Sequence, residues 1–359
     1  MQEAAKFACL WQHLKGNWMV EDFIPLSAEY DGISPNIKGK LVYAGEGAVV
    51  LGRVTLASGA WLGAFSVLRA DGHDVIIGEN FHLGEHATVH IAHDIYATNI
   101  GNNVTCGNRA VIHACDVDDD CVVEHGAVIL DGAKVGSGAV IAAGSVVFPR
   151  HQLEGGWLYS GCPAKPVAKL TAVELEGHHQ NIRSKAPSAK GESLAVTTNL
   201  DCFVALSAKV EGEVSAEEGV GIWYGCKLSA NAHHISIGAG SNIQDNSILN
   251  CNQADIIIGP DVTIGHNVTL SDCTIEQGSL IGIGAQIAPG TVVESDVLVA
   301  AGTHTEQGQR LTSGKVWAGN PARAIADMDV DKRRMMAAIL RLYKGYADDF
   351  RTTNHEPLV

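Results

Sequence analysis

The sequence predicts a mainly β protein, two parallel β-helices in tandem, each followed by an α-helical segment. Three observations carry that expectation. Large aliphatic residues recur at every sixth position from Val117 through Val123, Ile129, Val135, Ile141 and Val147. A small residue stands two places before each: Cys115, Cys121, Ala127, Ala133, Ala139, Ser145. A second series then repeats the first, with Ile275, Ile281, Ile287, Val293 and Val299 behind Cys273, Ser279, Ala285, Thr291 and Val297. A helix repeats near 3.6 residues and a strand near 2, so neither alone yields a period of six. Six residues make one short strand and a corner. Three such strands close a coil, and successive coils pair in parallel about 4.8 Å apart.

The period extends upstream through Ile77, Leu83 and Val89, breaks, and resumes at Ile100, Cys106 and Ile112. Ile237, Ile243 and Leu249, then Ile258, Ile264 and Leu270, mirror it. A slide of 160 superimposes LRADGHDVIIG on LSANAHHISIG; after the break the offset is 158, and GCPAK at Gly161 meets GNPAR at Gly319. The chain reads as a duplication. The expected division is a lead-in over 1–38, a first β-helix over 39–170 and a helix and linker over 171–195. A second β-helix over 196–325 and a C-terminal helix over 326–359 complete it. Apolar stripes at Leu170, Val173 and Leu175, and at Met335, Ile339, Leu340 and Tyr343, are expected to pack on the protein itself or on a neighbour.

Composition agrees and narrows the function. Of 359 residues, 46% are hydrophobic but only 6% aromatic, and 40 are glycine, as short aliphatic strands with tight corners require. A formal charge of −15 without a basic cluster argues against nucleic acid. No apolar run reaches the roughly 18 residues that cross a bilayer, and the opening residues lack the plan of a signal peptide, so no membrane partner is expected. Nine cysteines form no C-x-x-C pair. Cys106, Cys115, Cys121 and Cys273 fall on inward positions, which points to reduced thiols and the cytoplasm.

Register places two histidines together. Val89 and Ile112 occupy the same strand position in consecutive coils, so His90 and His113, one residue on, stack on one outward face. Two imidazoles spaced by one coil can share a metal at about 2.0–2.1 Å per nitrogen. The insertion at 91–99 forms a loop beside them.

Here the sequence resembles the γ-class carbonic anhydrases, trimeric left-handed β-helices of the hexapeptide-repeat proteins. The matching text is VLRADGHDVIIG at Val67, ATVH ending at His90 and VTCGNRAVIHAC at Val104, then SNIQDNSILN at Ser241 and VTIGHNVTLSDC at Val262. The resemblance implies a left-handed helix and a three-histidine Zn²⁺ site, with Fe²⁺ or Co²⁺ as other divalent occupants. It implies two histidines from one β-helix and the third from its neighbour, with CO2/bicarbonate as substrate. Neither copy is complete. The first has His90 and His113 but Asn108 at the third ligand position; the second has His266 but Asn250 and Ser271 in place of the pair. The family's interface Arg and Asp survive as Arg69 and Asp71 and become Ser229 and Asn231. Its glutamine beside the metal survives as Gln244, with Asn242 and Asp245. Each copy has kept the half that the other lost.

The resemblance further implies that the metal lowers the pKa of a water for attack on CO2, with Gln244 orienting it. Arg69 is expected to pair with Asp245 across the seam, and alanine there to weaken metal retention while each β-helix stays folded. His86 and His93, with Glu85 and Asp94, are candidates for a proton relay. A homo-oligomer with unlike copies adjacent is expected. Two alternatives stand beside the hydratase: an acyl-CoA-dependent acyltransferase using one histidine as base, and a noncatalytic assembly subunit.

Overall fold

In the computed structural model the described residues are 25–184 and 202–352. They form a mainly β, left-handed β-solenoid with two helices. Most strands are only two or three residues long, and each pairs in parallel with the strand one coil away. Thus Leu83 pairs with Cys106, Cys106 with Val123, and Val123 with Ile141. These are the residues that the six-residue spacing places inside. The break in the period is a small loop closed by an Ala92–Tyr96 bridge, after which Thr98–Ile100 rejoins the stack.

The strands before α1 (Ala172–Arg183) and those after residue 202 share no sheet. Each stretch encloses its own aliphatic core, one running from Ala48 to Ala164 and the other from Ala208 to Leu311. We call them the first and second arrays. The lead-in drawn through residue 38 already supplies rungs at Leu26–Ala28 and Asn36–Ile37, which pair with Val49–Leu56; residues 1–24 lie outside those described. The linker around Ser184 to Ser193 lies almost wholly outside them too.

The arrays meet through unlike faces. In the first, Val67, Thr88, Val111, Val128 and Val146 stand in register on one outward ladder, and all are buried. They face corners of the second array. Thr88 Oγ1 donates to Asn267 Oδ1 at 2.8 Å and accepts from Asn246 Nδ2 at 2.9 Å. Val111, Val128 and Val146 pack on Ile283 and Ala301. The matching ladder of the second array is Lys227, Ile248, Thr269, Gln286 and His304, which is mostly polar. Each valine so buried contributes roughly 1.5–3 kcal/mol, which the polar ladder cannot.

Both helices pack by their apolar stripes. α1 opens with a capping box, Thr171 with Glu174, and sets Leu175 and Ile182 on Val122 and Val140. Val173, expected on that stripe, is exposed. α2 (Val330–Thr352) is nearly twice as long, 23 residues against 12. Its first half rests Met336 and Ile339 on Leu280, Leu298 and Val316. Met336, not Met335, faces inward, because the buried stripe runs 336, 343, 346, 347, 350 at helical spacing. The extra length carries Tyr343, Tyr346 and Phe350 into a cluster built from both arrays, with Val49, Leu51 and Val67 of the first and Phe203, Trp223 and Tyr224 of the second.

Two outcomes follow from this packing. A Cβ on Gly302 would lie 2.4 Å from Val146 Cγ2, whereas the matching Gly144 of the first array has nothing within 4 Å. Both hold positive φ, +65° and +66°, so alanine strains each backbone by a similar ~1 kcal/mol. Gly302→Ala should therefore lose about 1–3 kcal/mol more than Gly144→Ala in urea denaturation; equal losses would contradict the seam.

The second outcome concerns His82, which is buried and stacked on Trp61 at 4.2 Å, with Tyr43 beyond at 4.9 Å. Burial, reinforced by Arg183, lowers its pKa to about 4. Its folded pKa is depressed, so its stabilising share is whole above the unfolded value near 6.5 and disappears as pH falls toward 4. The loss is about 3 kcal/mol at most. His82→Gln should flatten the acid limb of stability measured between pH 7 and 4, and an unchanged limb would exclude His82 as a contributor.

Candidate metal centre

The site lies where the two arrays and α2 converge. Strand pairing sets His113 beside His90 in the first array, as the spacing implied. In the second array Ile243 pairs with Ile264, which puts Asp245, rather than Gln244, level with His266. The seam then closes the distance: one ring nitrogen each from His90, His113 and His266 lies within 4.8 Å of the others. Ring centroids are 5.3 Å apart for His90–His113, 4.9 Å for His90–His266 and 5.5 Å for His113–His266.

Each histidine has its own aspartate. His90 Nε2 is 2.9 Å from Asp71 Oδ1, His113 Nδ1 is 2.6 Å from Asp131 Oδ1, and His266 Nδ1 is 3.1 Å from Asp245 Oδ2. The third contact lacks hydrogen-bond geometry, and His266 Nδ1 is a buried nitrogen with no hydrogen-bond partner. The first two leave His90 Nδ1 and His113 Nε2 facing one another at 3.3 Å. Two nitrogens on a tetrahedral zinc are separated by about 3.3–3.4 Å, so this spacing fits the ion.

Charge fits as well. Arg69 is wholly buried, with its Nε donating to Asp245 at 3.0 Å, Nη1 to Asp71 and Nη2 to Tyr343 Oη at 2.9 Å. Its guanidinium lies 4.6 Å from the centre of the Trp223 ring. Burial opposes its charge, but Asp245 and Asp71 outweigh that and hold its pKa above the ordinary value. Burial, reinforced by Arg69, keeps His90 neutral, and burial lowers His266 to about 4 despite Asp245. Two fully buried carboxylates thus face one buried cation among neutral imidazoles. A divalent cation relieves that surplus.

Gln244 and Asn242 are buried, and the Gln244 amide donates to Asn242 Oδ1 at 3.2 Å. His93 is one-third exposed, with Nδ1 2.6 Å from Tyr346 Oη and Nε2 3.3 Å from Asp94. His86 behaves otherwise. It stacks on Phe65 at 5.1 Å and meets Asn246 at 3.2 Å, so it packs in the seam. The positions that lack a histidine are filled by two amides and a serine. Asn108 accepts from the Glu85 backbone at 3.2 Å, and Asn250 accepts from Asn231 at 3.2 Å and donates to Asn252 at 2.9 Å. Ser271 stands level with Asn250.

Sequence reasoning missed Asp131, Trp223 and the part played by Tyr343. Tyr343 Oη is 3.3 Å from His266 Nε2, so α2 roofs the histidines with a hydroxyl. Nothing in the six-residue spacing announces a helix docked from seventy residues downstream. Asp131 had a signal: its counterpart under the offset of 158 is Pro289, lost together with the histidine at Ser271.

No family model matches the chain. Gamma carbonic anhydrase 1, mitochondrial, of Arabidopsis thaliana is 37% identical over 185 residues, 50% of this chain and 64% of that protein. Gamma carbonic anhydrase 2, mitochondrial, of the same plant is 43% identical over 34% of this chain and 47% of its own length. The chain thus spans about half to two thirds of these relatives. Protein YrdA of Escherichia coli is 33% identical over 40% of this chain and 83% of its own length. A crystal structure of a putative acetyltransferase from Desulfovibrio desulfuricans matches 90% of this chain and 82% of its own, with a TM-score of 0.55 at 14% identity, a likeness of fold alone. No described helix is long and apolar enough to cross a membrane. With its spacing, its solenoid and these relatives together, the chain belongs to the γ-carbonic-anhydrase-like family of hexapeptide-repeat proteins.

Proposed function

We propose that the chain is a tandem duplication of the family's β-helix, with copies over 39–170 and 196–325, and that the pair hydrates CO2 at one composite Zn²⁺ site. The observation that supports this most is the convergence of His90 and His113 from one array with His266 from the other, each beside an aspartate. When bound, the metal supplies the Lewis acidity that makes water a nucleophile near neutral pH.

The chain's own residues do the remainder. Asp71 holds His90 so that its free nitrogen turns toward His113. Gln244 spends its amide N–H on Asn242, which leaves its carbonyl oxygen to accept from the attacking water and orient it. Arg69 locks Asp245 of one copy to Asp71 of the other, keeping both halves in register. Tyr343 and Trp223 exclude bulk water from the histidines. His93, one-third exposed and hydrogen-bonded to Tyr346, passes the released proton to solvent. The three histidines come from one chain, so the site forms without a second copy, and a homo-oligomer would bring whole sites together rather than halves.

The test is metal content with stopped-flow CO2 hydration. About one zinc per chain is expected, and His266→Ala should lose both metal and hydration as fully as His90→Ala, though the two lie in different arrays. No bound metal, or a zinc that survives either change, would reject the reading. Coenzyme A protection against proteolysis without metal would favour the acyltransferase, and neither result an assembly role. Arg69→Ala strands two buried carboxylates and should cost about 3–5 kcal/mol. Hydrogen exchange should show α2 released and metal retention weakened, while the core strands of both arrays stay protected.

A further inference from the structure

We infer that Asp131 is a positioning residue of this site, fixing the His113 ring so that Nε2 is presented to the metal. The inference rests on the metal-site reading and extends it to a residue outside the family's matched motifs. Asp131 belongs to a corner of the first array one coil beyond His113, before Gly132. Its Oδ1 accepts from His113 Nδ1–H at 2.6 Å. A neutral imidazole with its proton on Nδ1 has its lone pair on Nε2, and Nε2 is the atom 3.3 Å from His90 Nδ1. Among the described residues no cation other than His113 pairs with this carboxylate.

The comparison between copies points the same way. The first array carries Arg69, Asp71, His90, His113 and Asp131; the corresponding residues of the second are Ser229, Asn231, Asn250, Ser271 and Pro289. Where the ligand histidine is gone, so is the carboxylate that would orient it. The corner does not require an acid, since proline serves in the other array. Asp131 also differs from its two companions by being 42% exposed where Asp71 and Asp245 are fully buried. His113 is likewise the most exposed of the three histidines, so this pair forms the solvent-facing wall of the site.

The test separates orientation from turn formation, because asparagine suits the corner as well as aspartate but carries no charge. Full-length Asp131→Asn should retain the thermal profile of the metal-free protein while its zinc affinity, measured by chelator competition, falls about 10- to 100-fold. In Asp131→Ala, ¹⁵N-histidine spectra of the metal-free protein should show His113 as a mixture of tautomers, against a single Nδ1–H form in the native chain. Native affinity in both variants overturns the inference. If the unaltered chain binds no zinc, the metal reading fails by itself; the spectra then decide Asp131's hold on His113, and a native tautomer in Asp131→Ala overturns that too.

Discussion

A guanidinium sealed from water is the constraint on which the rest of the structure depends. Arg69 reaches Asp71 within its own array, Asp245 in the other array, Tyr343 on the C-terminal helix and the face of Trp223. Removing any of these partners leaves charge or polar atoms buried without compensation, at a cost of several kcal/mol. One residue therefore couples the positions of three separate pieces of chain. The histidines inherit that coupling, because Asp71 touches His90 and Asp245 touches His266.

The two arrays are complementary rather than alike. The first kept an apolar outer ladder, Val67, Val111, Val128 and Val146; the second has Lys227, Thr269, Gln286 and His304 in the same places. Both arrays have glycine corners, but only those of the second, Gly284 and Gly302, meet the apolar ladder, against Val128 and Val146; a Cβ on the matching Gly126 or Gly144 would have nothing within 4 Å. Ladder and corner fit once, between first and second array, and the reverse combination has no apolar surface to drive it. The same partition runs through the polar residues: Arg69, Asp71, His90, His113 and Asp131 stand in the first array, and Asn242, Gln244, Asp245 and His266 in the second. Packing and chemistry have thus diverged along one boundary.

Much of this was legible beforehand because a solenoid translates sequence spacing into space with few free parameters. Once Val89 and Ile112 share a strand position, the adjacency of His90 and His113 follows from pairing alone. The rungs at Leu26–Ala28 and Asn36–Ile37 lie off the six-residue spacing, so the period gives no sign of them. Met336 was missed for Met335 because one residue rotates a helical stripe by about 100°. The surroundings of His86 are set by Phe65 and by Asn246, 160 residues away, which spacing does not reveal. The contact of Tyr343 with the histidines was hidden for the same reason: it arises from helix docking, which periodicity does not encode, whereas Asp131 could have been found from its replacement by Pro289.

Anomalous diffraction at the zinc edge from crystals of the intact chain addresses the central claim most directly. One peak per chain, bounded by His90, His113 and His266 of that same chain, is the result that pooled half-sites predict. A peak beside Asn250 and Ser271, a site completed by histidines of different chains, or no peak in zinc-treated crystals would contradict it.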